Sequence, residues 1–153
     1  MASTISPADI TAGIPGAHRE MFLVTAGELQ PVCMPVIEAF WEAVRHFAPA
    51  VRKGRIAHVV FGEAPFHLSM PSGTLSFSPP PQVINAAIEH LIFLDIRKML
   101  PLPRGLQVAC IVEEFVHAIM HVSDERITSH VVALLYPGIS VVNDQYVVAT
   151  TRS

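Results

Sequence analysis

From Val108 to Val122 the chain is apolar on nearly every side, interrupted only by Cys110, Glu113, Glu114, His117 and His121. At about 100° per residue those five positions share one arc of roughly 100° on a helix, while Ile111, Val112, Phe115, Val116, Ala118, Ile119 and Met120 fill the rest. A surface helix dilutes its polar face with Lys, Arg or Gln. This stripe holds only carboxylates, imidazoles and a thiol. Such a helix must be enclosed by other elements around most of its circumference, and 153 residues of which 51% are hydrophobic can do that as one domain, 1–153.

The elements that would enclose it can be read from period and punctuation. Residues 1–17, with Pro7, Gly13, Pro15 and Gly16, are expected to form a mobile arm. Pro35 suits a first helical turn, and Val36, Ile37, Phe40, Trp41, Val44 and Phe47 follow a helical period, which predicts a helix over 35–48. Ile56 to Phe61 predicts a strand. Phe66 to Met70 and Thr74 to Ser78, across Pro71-Ser72-Gly73, predict a hairpin and with it a small antiparallel sheet.

Pro79-Pro80-Pro81 is expected to start a helix with Val83, Ile84, Ala87, Ile88, Leu91, Ile92 and Ile96 on one face, ended by Pro101 and Pro103. After the striped helix, Ser123 reads as an N-cap with Asp124 and Glu125 in the first turn, where negative charge suits the helix dipole. That helix should run to Leu135. Pro137-Gly138 breaks it, and Ile139–Val142, Asn143-Asp144 and Gln145–Thr150 predict a terminal hairpin. The class is therefore α+β, a small antiparallel sheet packed against helices.

Charge and composition exclude several functions. Ten Lys plus Arg against thirteen Asp plus Glu give a net charge of −3, and the basic residues are scattered apart from Arg52-Lys53-Gly54-Arg55, so no nucleic-acid partner is expected. No run approaches the roughly 18 apolar residues that span a bilayer, and nothing near the start reads as a secretory signal. Cys33 and Cys110 make no disulfide framework, so a cytoplasmic protein is expected. Only 15% of the residues are charged, against about a quarter in typical domains, which points to a homo-oligomer.

The stripe can hold a metal ion in two overlapping frames, because side chains four residues apart lie one turn above each other on a helix. In Glu113-Glu114-Phe115-Val116-His117, Glu113 and His117 are ligands and Glu114 is free to act as a base. A carboxylate ligand moves preference from zinc toward iron or manganese. In His117-Ala118-Ile119-Met120-His121 both imidazoles are ligands, and a carboxylate one turn upstream completes a set suited to non-haem iron. Glu113 and His121 are then about 12 Å apart along the axis.

From Glu113 to Pro137 the sequence resembles a degenerate minimal gluzincin of the ImmA/IrrE type, whose pattern is His-Glu-x-x-His followed by a Glu in a second helix that ends Leu-Leu-Met-Pro. Here Glu113-Glu114-Phe115-Val116-His117 is followed by Asp124 and by Ala133-Leu134-Leu135-Tyr136-Pro137. The resemblance implies a zincin-like fold, a divalent metal ion (zinc first), and hydrolysis of a peptide or amide bond with Glu114 as general base. It also implies Glu113 and His117 as ligands, with Asp124 or His121 completing the set. An edge strand would pair with an extended substrate, and Thr74 to Ser78 is the candidate. The chain departs from the pattern at Glu113, at the shorter Asp124, in the tight link Val122-Ser123, and in its C-terminal hairpin.

Two other readings stay open. One is a non-haem iron enzyme using His117, His121 and a carboxylate on a small-molecule substrate; the other is a zincin-like interaction protein without metal. His58 and His67, on or beside predicted strands, are candidates for a missing imidazole. Cys110 shares the stripe and is a candidate soft ligand, although a small buried hydrophobe is the commoner role.

Overall fold

The computed structural model describes residues 3–150, and its fold is α+β. The chain runs α1 (Pro7–Ala12), β1 (Phe22–Ala26), α2 (Met34–Phe47), β2 (Ala57–Gly62), β3 (Phe66–Met70), β4 (Gly73–Phe77), β5 (Ala86–Ile88), β6 (Leu91–Asp95), α3 (Ile96–Met99), α4 (Arg104–Met120), α5 (Glu125–Leu135), β7 (Ile139–Val142) and β8 (Gln145–Val148), with short 3-10 turns between some of them.

The principal sheet has the order β1-β2-β6-β5. β1, β2 and β6 are parallel, in the register Phe22 to Ala57 and His58 to Leu91, while β5 runs antiparallel with Ala86 opposite Phe93. The two central strands carry the unbroken apolar runs Val59-Val60-Phe61 and Ile92-Phe93-Leu94, all buried, as expected of strands covered on both faces. This mostly parallel sheet is not expected from the sequence, which points only to the small antiparallel one. β3 and β4 do form the expected hairpin, but as a separate two-stranded sheet. β2 pairs in parallel because α2 carries the chain back across the sheet between β1 and β2, the crossover a parallel pair requires.

α2 and α4 pack against each other and the sheet around Phe22, Phe40, Phe47, Phe61 and Phe115, whose rings meet at centroid distances of 5.2–6.1 Å. Val108, Ala109, Ile111, Val112, Phe115 and Val116 of α4 are fully enclosed. The apolar circumference of this helix has the burial its sequence demanded.

Two further expectations are overturned. Residues 3–17 are anchored to the core through Ile5, Ile10 and Ile14, all buried, rather than forming a mobile arm: Ser6 and Asp9 form a reciprocal capping box on α1, and Trp41 Nε1 donates to the Ile10 carbonyl at 2.8 Å. Gly13 lies against the Trp41 ring so closely that a Cβ there has no room. The predicted helix from Pro79 to Ile96 is instead β5, a turn at Glu89 with φ of 53°, β6 and only then the short α3. Apolar residues at 84, 87, 88, 91 and 92 satisfy a helical period, yet a short continuous apolar run such as Leu91–Leu94 fits a buried strand equally well.

α5 begins one residue later than expected. Asp124, with an extended backbone, is its N-cap in place of Ser123 and accepts from Ile127 N–H at 2.9 Å. The terminal hairpin turns at Asn143 and Asp144, both at positive φ (51° and 60°), as a two-residue type I′ turn requires. Among the described residues no single helix is long and apolar enough to cross a membrane.

Candidate metal centre

α4 ends where His121 enters the left-handed region at φ 57°, and the chain turns by 114° into α5. This bend decides which polar side chains meet. His117, in the last turn of α4, turns Nδ1 to the Val122 carbonyl at 2.6 Å. A carbonyl only accepts, so Nδ1 carries the proton, and Nε2 is the nitrogen that faces Glu125 Oε1 at 3.6 Å. That separation is too long for a hydrogen bond. An imidazole held through one nitrogen so that the other points into a site is the usual arrangement of a metal-ligating histidine.

Glu113, one turn upstream on α4, completes the group. Glu113, His117 and Glu125 each offer one donor atom, and the three lie within 4.8 Å of one another, so the group could hold a metal ion. Donors about 2 Å from a common ion stand roughly 3–4 Å apart, a distance small rotamer adjustments reach. Glu113 Oε2 accepts from the Tyr146 hydroxyl at 2.5 Å, which brings the C-terminal hairpin to the stripe.

These residues open on a cavity of about 730 Å³ between α4 and the start of α5 on one side and residues 82–87 with Glu89 on the other. Four glutamates, Glu89, Glu113, Glu114 and Glu125, lie on its wall with His117 and His121, and no Lys or Arg does. Lys98 Nζ donates to the carbonyls of Pro80 and Val83, and the exposed Arg126 faces Asp144 at 3.9 Å. The carboxylates respond accordingly. Burial first, then the neighbouring charges of Glu113 and Glu125, pushes Glu114 up to about 8. Burial also raises Glu113, against the lowering effect of the Tyr146 bond. The Tyr146 phenol is itself raised by burial and by the Glu113 carboxylate it faces.

Of the residues singled out in the sequence, Glu113, Glu114 and His117 are thus brought together. Asp124 is not: its carboxylate caps α5, and Glu125, the next residue, takes the place expected for it. His121 lines the cavity but stands outside the three-donor group, because the helix that would have stacked it over His117 has already ended. His58 bonds to Thr25 at 2.7 Å and His67 to Ser76 at 2.8 Å, so neither joins the group. Burial pushes the Cys110 thiol up to about 12, which keeps it protonated and a poor ligand.

The edge strand beside the cavity is β5, through Ala86 and Ala87, rather than Thr74 to Ser78. Leu75 and Phe77 lie instead against Phe66 and Phe93. Sequence reasoning missed Glu125 and Tyr146 as site residues. The first-turn acid at 125 was visible as a dipole partner; nothing in the local pattern marks Tyr146.

Comparisons with protein-family models, with curated proteins and with solved structures found no match for this chain.

Proposed function

We propose that this protein is a metal-dependent hydrolase of peptide or amide bonds, in which Glu113, His117 and Glu125 hold a divalent ion and Glu114 is the general base. The observation that carries this reading is the convergence of three donors, one an imidazole already oriented by its Nδ1 bond, on the wall of a cavity that contains four glutamates and no fixed cation. Burial holds two of these carboxylates, Glu113 and Glu114, above their ordinary range, and a bound cation would offset that cost. The gluzincin resemblance of residues 113–137 supports it, with Glu113 in place of the first imidazole and Glu125 as the third ligand.

Zinc is the ion the resemblance implies, while two carboxylates and one imidazole suit manganese and iron(II) as well. Such an ion supplies Lewis acidity, lowering the pKa of water and polarising a carbonyl. Glu114, next to Glu113 in the chain and on the same cavity wall, would take the proton of the attacking water. The water oxygen bonds to the carbonyl carbon, the carbon–nitrogen bond breaks, and Glu114 passes the proton to the leaving amine.

Purified protein supplied with Zn²⁺ or Mn²⁺ should cleave members of a mixed peptide pool read by mass spectrometry, and a chelator should abolish the cleavage. A pool left intact under both metals would count against hydrolysis. Metal bound without cleavage would favour a non-hydrolytic metalloenzyme, and no metal bound would favour an interaction protein.

A further inference from the structure

Tyr146 sits on β8, 33 residues from the carboxylate it bonds, and the hairpin that carries it is fitted to α4 at a second point. Gly105, in the first turn of α4, faces the Gly138 carbonyl and the Val148 methyls at the distance where a Cβ would be in contact, 3.3–3.4 Å. Ala149 N–H donates to the Gly138 carbonyl at 2.9 Å, closing the hairpin. The phenol is therefore presented to Glu113 by an element docked along the helix rather than by a loose terminus.

Resting on the metal-centre reading above, we propose that Tyr146 is a positioning residue of that centre, holding Glu113 by one oxygen so that the other is directed to the ion. A glutamate is longer and freer than an imidazole, and burial alone gives it no fixed orientation. His117 is oriented by the Val122 carbonyl through its second nitrogen; Tyr146 does the same for Glu113 through its second oxygen. Partners of this kind are worth about 10–100-fold in metal affinity. With Oε2 taken by the phenol, Glu113 contributes a single free oxygen, so the centre offers three protein donors in an O,N,O set. That set favours a first-row transition ion over calcium, which takes six to eight oxygens.

The test is competitive titration of the full chain with Zn²⁺, Co²⁺ and Ca²⁺ against a chromophoric chelator. Tyr146→Phe should weaken Zn²⁺ and Co²⁺ about 10–100-fold and change the visible Co²⁺ spectrum, with its far-ultraviolet circular dichroism unchanged. In a Glu113→Gln background the same substitution should have no further effect, because the hydroxyl acts through that carboxylate. Should Tyr146→Phe not fold, Tyr136→Phe leaves Tyr146 as the sole tyrosine, and metal addition should perturb its near-ultraviolet absorbance. Wild-type affinity in Tyr146→Phe, or an unperturbed tyrosine on metal binding, would overturn the role of Tyr146 and leave the metal centre standing. A wild-type chain that binds no ion would overturn both.

Discussion

His117 Nε2 faces Glu125 Oε1 at 3.6 Å across a 114° bend, so two helices joined by a sharp turn share one candidate ion site. The relationship depends on α5 starting at Glu125 rather than at Asp124, and the two neighbouring acids consequently have separate roles.

Those roles predict opposite phenotypes. Glu125→Ala should lower metal affinity at least tenfold while leaving the metal-free stability within about 0.5 kcal/mol, since its side chain is 77% exposed. Asp124→Ala should cost about 1 kcal/mol through loss of the cap on Ile127 N–H and leave metal affinity near wild type. Chemical denaturation and metal titration of the two variants check the pair.

Glu114→Gln should retain the ion and lose hydrolysis by about 10²–10⁴-fold, the usual contribution of a general base. Metal stoichiometry and peptide turnover, measured on the same preparation, separate this outcome from simple loss of the site.

The same residue predicts how metal-free stability depends on pH. Glu114 is held up at about 8 in the folded chain against an ordinary 4.5. Between those values the folded state keeps a proton that the unfolded chain has released, so stability falls as pH rises through the window. For one group the slope is at most about 1.4 kcal/mol per pH unit. Glu113, raised in the same direction, adds to the trend. Urea unfolding in the presence of a chelator from pH 5 to pH 8 should show this decline in wild type and a flatter profile in Glu114→Gln; identical slopes would refute it.

At the N-terminus, Ile10→Ala should cost about 2–5 kcal/mol, the range for truncating a fully buried aliphatic side chain. Gly13→Ala should destabilise as well, by driving a methyl into the Trp41 ring. A freely mobile arm would tolerate both, and thermal denaturation distinguishes the cases.

What could be read from the sequence followed the strength of the local signal. α2 and α5 were legible because their apolar residues recur at helical spacing, and α4 because its polar residues do, over eleven or more residues. The two hairpins were legible from Pro71-Ser72-Gly73 and Asn143-Asp144. α1 was not, since its six residues are fewer than a periodic window needs, and only the Trp41 contact reveals why Gly13 and Ile10 stand where they do. β1 and the parallel pairing are long-range properties, set by the α2 crossover and invisible to turn chemistry.

In the site, the ligand frame Glu113-Glu114-x-x-His117 was legible from one turn of helix. Choosing between Asp124 and Glu125 required the cap geometry. Finding Tyr146 required the tertiary fold, because its partner lies on another element.

The most direct measurement is the metal content and affinity of the purified chain, wild type beside His117→Ala, by elemental analysis and competitive titration with Zn²⁺, Mn²⁺ and Fe²⁺. One divalent ion per wild-type chain is expected, with an affinity reduced at least a hundredfold in His117→Ala. No ion in wild type, or equal binding by both proteins, would contradict this.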